Sequence, residues 1–109
     1  MDRAVFVYTT FPTLVEAEAA AKVIVEGKLA ACANILPGMI SHYRWEGKVE
    51  RAEEVVMILK TRASLADRVR EAVRQNHSYE VPAIAVIGLE SVDRDYFRWI
   101  LDSTEPEQT

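Results

Sequence analysis

The chain has 109 residues, half of them hydrophobic and 28% charged, the size and composition of one small globular domain. Thirteen basic against seventeen acidic residues leave a net charge of −4 with no basic cluster, which excludes a nucleic-acid backbone as a partner. The longest strictly apolar runs, Leu29 to Ala33 and Val55 to Leu59, are five residues each, against about 20 needed to cross a bilayer.

Ala4 to Thr10, β-branched and aromatic and stopped by Phe11-Pro12, predicts a buried strand. Thr13 stands three residues before Glu16, the spacing of a capping box, and Leu14, Ala17, Ala21, Ile24 and Val25 follow on one helical face until Gly27. Leu29 to Trp45 and Lys48 to Thr61 read as the two arms of one long hairpin across the short turn Glu46-Gly47. Pro37-Gly38 inside the first arm marks a bulge or an edge position. Ser64 is expected to open a second helix, with Asp67 three residues on and Leu65, Val69, Ala72, Val73 and Asn76 along one face. Val81 to Leu89 is apolar on both faces and reads as a central or doubly covered fourth strand. Asp93 to Leu101 forms a short terminal helix. Residues 103–109 read as a polar tail with nothing to bury, after a single domain over residues 1–102.

The order β-α-β-β-α-β with a terminal helix predicts an α+β, ferredoxin-like sandwich with both helices of the repeat on one face. Hairpin arms of about 13 residues reach roughly 40 Å, while helices of about 14 residues reach about 21 Å, so the helix layer cannot cover the sheet. Met39, Ile40, Tyr43 and Trp45 lie in the uncovered distal half and are assigned to an interface with further copies of the chain. The alternative is that the hairpin folds back on the terminal helix, with Tyr96, Trp99 and Ile100 as its cover. Ala4 to Tyr8 is too brief for a signal-peptide core, and the lone Cys32 allows no intrachain disulfide, so a cytoplasmic location is expected.

Cys32, within Leu-Ala-Ala-Cys-Ala-Asn, reads as a buried structural thiol. His77 lies in the loop before the fourth strand with Glu80 three residues on, two side chains suited to a borderline metal. The plainer reading, which the sequence favours slightly, is a loop or helix-end histidine complementing the helix dipole. His42 on the hairpin reads as a solvated or interface residue. Lys60-Thr61-Arg62, ending a strand just before the Ser64 helix start, could hold a carboxylate or phosphate, or could simply carry strand-end charges into water. Neither a nucleophile beside a base, nor a glycine-rich phosphate loop, nor a paired-histidine motif appears, so no enzymatic activity is expected.

The segments Lys28-Leu-Ala-Ala-Cys-Ala-Asn-Ile-Leu-Pro-Gly38, Tyr43-Arg-Trp-Glu-Gly-Lys48, Ile58-Leu-Lys-Thr-Arg62, His77-Ser-Tyr-Glu-Val-Pro82 and Tyr96-Phe-Arg-Trp-Ile100, in this order across nearly the whole chain, resemble the divalent-cation tolerance protein CutA family. The resemblance implies a ferredoxin-like protomer, a homotrimer knit by long hairpins, and a role in tolerance to copper and other divalent cations. It departs from the family pattern at Ser78, where a proline is usual, which is expected to loosen the turn beside His77. Thr9 and Asn76 stand where some members carry a cysteine and a second histidine. Two readings follow. One is a non-enzymatic trimer that binds copper or another divalent cation weakly through His77 and Glu80, with help from a neighbouring chain. The other is a sensor like the PII signalling proteins, taking an anionic small molecule in an intersubunit cleft lined by Lys60, Arg62, Tyr79 and Glu80, with Trp45 from a neighbour.

Overall fold

The structure is a computed structural model that describes residues 2–105. Its elements are β1 (Ala4–Phe11), α1 (Leu14–Glu26), β2 (Cys32–Trp45), β3 (Lys48–Arg62), α2 (Ala66–Gln75) preceded by a 3-10 turn at Ala63–Leu65, β4 (Ile84–Gly88) and α3 (Arg94–Asp102). The four strands form one antiparallel sheet in the order β2-β3-β1-β4, the ferredoxin-like arrangement expected from the chain order.

One face of the sheet carries the core. Val7 and Phe11 of β1, Val55, Met57 and Leu59 of β3, Ala17, Ala20 and Ile24 of α1, and Val69 and Val73 of α2 are all buried there. The register puts the alternate residues Phe6, Tyr8 and Thr10, with Ile58 and Val56, on the helix-free face. That face is covered only at one end. There α3 lies over β3, the Lys60 ammonium sits 5.5 Å from both the Phe6 and the Tyr96 ring centroids, and Ile100 is buried. The alternative in which α3 covers the hairpin does not hold, because Ile40, Tyr43 and Trp45 stay 51%, 42% and 44% exposed. Met39 is half-buried within its own protomer, its sulfur accepting the Tyr8 hydroxyl at 3.8 Å.

The hairpin turns at Glu46 (φ 49°) and Gly47 (φ 80°), two positive-φ residues in sequence as a tight hairpin requires. Between the pairs Leu36↔Val56 and Met39↔Glu54 the two residues Pro37 and Gly38 oppose the single residue Val55. This is the expected bulge, with Gly38 at φ 88°. It shifts the phase of β2. Leu36 shares the helix-free face before the bulge, and after it the odd-numbered Met39, Ser41, Tyr43 and Trp45 do.

Three expectations need correction. β4 is a short edge strand, not a central one, and its residues 85–88 are exposed. Ser64 does not cap α2. It donates instead, through its amide (3.1 Å) and hydroxyl (2.6 Å), to the Asp2 carboxylate. Residues 103–105 are not a free tail: Thr104 is buried, its hydroxyl donating to the Ile100 carbonyl at 2.8 Å, and the Glu105 amide donates to the Lys28 carbonyl. The remaining tail, 106–109, lies outside the described residues.

Thr9, packed between Met57 and Ile84, has a fully buried hydroxyl with no hydrogen-bond partner among the described residues. Thr9→Val exchanges that hydroxyl for a methyl group and is expected to stabilise the fold by about 1 kcal/mol, read as a rise in the urea midpoint; a fall would reveal a partner for the hydroxyl.

Candidate functional site

The loop between α2 and β4 is held by His77. Its fully buried ring stacks on Phe11 with centroids 4.4 Å apart. The Tyr79 amide donates to Nδ1 at 3.1 Å, so the proton sits on Nε2, which donates to the Thr10 carbonyl at 2.5 Å. Both nitrogens are thereby committed, and no lone pair is left for a metal. This corrects the expectation that His77 and Glu80 form a ligand pair: Glu80 is exposed in the groove described below, and the His77 ring is sealed beneath the loop.

Ser78 does not loosen this turn. Its amide donates to Glu16 Oε1 at 2.7 Å and its hydroxyl to Glu16 Oε2 at 3.0 Å, and the first of these bonds is one a proline could not make. The capping box at the start of α1 is correspondingly half-closed. Thr13 accepts from the Glu16 amide at 3.2 Å, while the Glu16 carboxylate is spent on the loop, with Oε1 also 4.0 Å from His77 Nδ1.

Past His77 the chain crosses to the helix-free side and meets the hairpin. The Tyr79 hydroxyl donates to Glu54 Oε2 at 3.1 Å, and the Thr10 hydroxyl reaches the same oxygen at 3.4 Å. Burial, together with the charge and the hydrogen bond of Glu54, pushes the Tyr79 phenol up from 10.0 to about 12, so it keeps its proton and remains a donor at neutral pH. Between this loop and the hairpin lies a groove of about 680 Å³, walled by Tyr43 and Trp45 from β2, Tyr79 and Glu80 from the loop, and Thr10 and Glu54 from the sheet. Ile40, Ser41 and His42 of β2 also line it, and the lining contains no lysine or arginine.

The groove thus gathers Trp45, Tyr79 and Glu80 within one chain and leaves out Lys60 and Arg62. Those two pair with Phe6 and Ala4 at the opposite end of β1. Arg62 is structural: Nε donates to Thr104 Oγ1 at 2.9 Å, Nη2 to the Leu101 carbonyl, and Nη1 lies 3.5 Å from Asp2 Oδ2. The Ser64 amide and Arg62 guanidinium expected to hold an external anion here are instead taken up by the Asp2 carboxylate of the same chain, and Lys60 lies apart, beside Phe6 and Tyr96. Cys32 is half-buried on edge strand β2, with the Asn34 amide 3.5 Å from its sulfur. No group of three or more His, Cys, Asp or Glu side chains converges as a metal site among the described residues.

Glu54, Thr10 and Glu16 escape the sequence reading. Glu16 carried a visible signal, the capping-box spacing, but its second partner lies 62 residues away.

The model of the CutA1 divalent ion tolerance protein family matches residues 5–103. The divalent-cation tolerance protein CutA of Pyrococcus horikoshii is 41% identical over 101 residues, spanning 93% of this chain and 98% of that protein. The CutA of Archaeoglobus fulgidus is 45% identical over 100 residues, 92% of this chain and 97% of that one. Among solved structures, CutA1 of Ehrlichia chaffeensis superposes with a TM-score of 0.92 at 32% identity, covering 97% of this chain and 99% of that one. The Archaeoglobus fulgidus CutA, described as periplasmic, does so with 0.91 at 44%, covering 94% and 100%.

Proposed function

The chain belongs to the CutA1 divalent ion tolerance protein family, and from that premise we propose that it serves divalent-cation tolerance as a non-catalytic homotrimeric binding protein whose ligand site is the groove beneath the hairpin. The observation that carries the reading is the charge of the groove. Glu54 and Glu80 lie in a lining without a lysine or arginine, so the site attracts cations and repels the anionic effector of the sensor reading. Copper is the first ion to try, as the family resemblance implies, and the Glu54 and Glu80 carboxylates suit a cation held weakly; His77 takes no part.

Support for the oligomer comes from two uncovered surfaces. β4 ends the sheet with an unpaired edge, and Val86 and Ile87 on it are 41% and 45% exposed. The helix-free face beyond α3 also leaves Leu36 57% exposed, and a second copy is the simplest cover for both.

The test pairs two measurements on the same sample. Light scattering is expected to give three times the 12.3 kDa chain mass, and calorimetry to give saturable copper binding that the Glu54→Gln, Glu80→Gln double variant weakens by about tenfold or more. A monomer, or copper binding indifferent to the double variant, would overturn the reading.

A further inference from the structure

We propose that Glu16 is a two-position latch: its carboxylate either fastens the 77–83 loop to α1 through Ser78 or withdraws to complete the cap of α1, and the choice sets how firmly Tyr79 is presented to Glu54.

The second position is built into the helix start. Thr13 has the extended backbone of an N-cap (φ −139°, ψ 156°), and its hydroxyl already accepts the Glu16 amide at 3.2 Å. In a closed capping box the carboxylate of the residue three positions on returns a bond to the N-cap amide. Glu16 is that residue, so closure needs rotation of its side chain and no movement of the backbone. In the structure it takes the other position, with Oε1 2.7 Å from the Ser78 amide and Oε2 3.0 Å from the Ser78 hydroxyl. Either position gives the carboxylate a charge-assisted bond to a backbone amide. The loop position adds a hydroxyl donor but has to hold a loop in place, which costs conformational entropy. With the Glu16 side chain 22% exposed, water remains a competing partner in both, and the two positions stay close in free energy.

The loop gives the latch something to control. Among the described residues its one backbone–backbone hydrogen bond is at its first residue, from the His77 amide to the Arg74 carbonyl at 3.3 Å. Side chains hold the rest: His77 to the Thr10 carbonyl, Ser78 to Glu16 and Tyr79 to Glu54. Val81 is 67% exposed and adds little packing. A segment with so few backbone bonds and apolar contacts opens locally at low cost. With Glu16 withdrawn, Tyr79 keeps only its amide bond to the His77 ring and its own hydroxyl bond to Glu54. Tyr79, Glu80, Val81 and Ala83 form the loop wall of the groove, so the latch gates the cation site. That consequence rests on the reading of the preceding section, whereas the latch itself does not.

Amide hydrogen exchange, followed by NMR on the metal-free assembled protein, reads both positions: the Ser78 amide reports the loop and the Thr13 amide reports the cap. Glu16→Ala is expected to speed exchange at Ser78 by about tenfold or more and at Tyr79 by about threefold or more, leaving Thr13 at the wild-type rate. Ser78→Pro has no amide or hydroxyl to offer. It is expected to send the carboxylate to the cap and slow Thr13 exchange by about fivefold or more. Ser78→Ala keeps the amide and is expected to slow Thr13 by about twofold, which carries the same test should proline distort the loop. Thr13 exchange unchanged in both Ser78 variants would overturn the proposal, because Glu16 would then have no second position. A Ser78 amide that exchanges as fast in the wild type as in Glu16→Ala would overturn it from the other side. Unchanged Tyr79 exchange in Glu16→Ala would break the link to Glu54. Failure of the wild type to bind copper would sink the cation-site reading alone, since none of these rates is measured with metal present.

Discussion

His77→Ala is expected to lower the unfolding free energy by about 2–4 kcal/mol, the cost of an aromatic-sized cavity combined with two orphaned polar groups. The ring is fully buried against Phe11 and serves as a bridge between the Thr10 carbonyl and the Tyr79 amide. His77→Phe separates the contributions. It retains the stack but strands both backbone groups, and is expected to cost about 1–3 kcal/mol. Urea unfolding of the two variants checks both values. A ligand residue would behave in the opposite way: its removal would spare stability in metal-free protein and abolish copper binding. If His77→Ala unfolds at the wild-type midpoint and loses the metal, the structural role given to His77 is wrong. The same bridge positions the groove, because Tyr79, which carries the Glu54 hydrogen bond, is the residue whose amide His77 holds.

The secondary structure was legible because its signals are local. Thr13 and Gly27 bracket α1, Glu46-Gly47 turns the hairpin, and Pro37-Gly38 places the bulge, each within a few residues of the feature it causes. The long hairpin also announced its unburied distal half, since Ile40, Tyr43 and Trp45 alternate with polar residues beyond any helix that could cover them. The failures lie where the partner of a segment is set by the tertiary fold and not by its neighbours in sequence. Val81 to Leu89 looked central because an unbroken apolar run reads as a strand covered on both faces, whereas β4 is a short edge strand with most of its residues exposed. Ser64 looked like a cap because serine before a helical pattern usually is one; the competing acceptor, Asp2, lies 62 residues away. The groove was half legible. Trp45, Tyr79 and Glu80 stand in conspicuous aromatic and acidic segments, but Thr10 and Glu54 look like ordinary strand residues until the sheet register sets them beside Tyr79.

Arg62 offers the sharpest test of how the helix-free face is closed. Its side chain is 11% exposed and ties β3 to two other segments: Asp2 before β1, and the end of α3 through the Leu101 carbonyl and the Thr104 hydroxyl. Arg62→Ala is expected to cost about 3–5 kcal/mol, the range for removing one partner of a buried, hydrogen-bonded charge pair. The loss is expected to concentrate in α3, whose amides should lose hydrogen-exchange protection before those of β1 and β3 do. Asp2 adds a pH signature. Burial alone would raise its carboxyl, but the hydroxyl and amide of Ser64, the amide of Arg3 and the charge of Arg62 outweigh burial and hold it below its ordinary value of 3.8. A depressed carboxylate contributes stability that is fully present above the unfolded-state value near pH 4 and is lost as pH falls through the lower folded-state value. Acid unfolding of the wild type should therefore steepen below about pH 4, and Asp2→Asn, which has no proton to take up, should lose that part of the slope while being less stable at pH 7. If Arg62→Ala leaves α3 protected, the docking of this helix rests on Tyr96 and Ile100 against the sheet and not on the guanidinium.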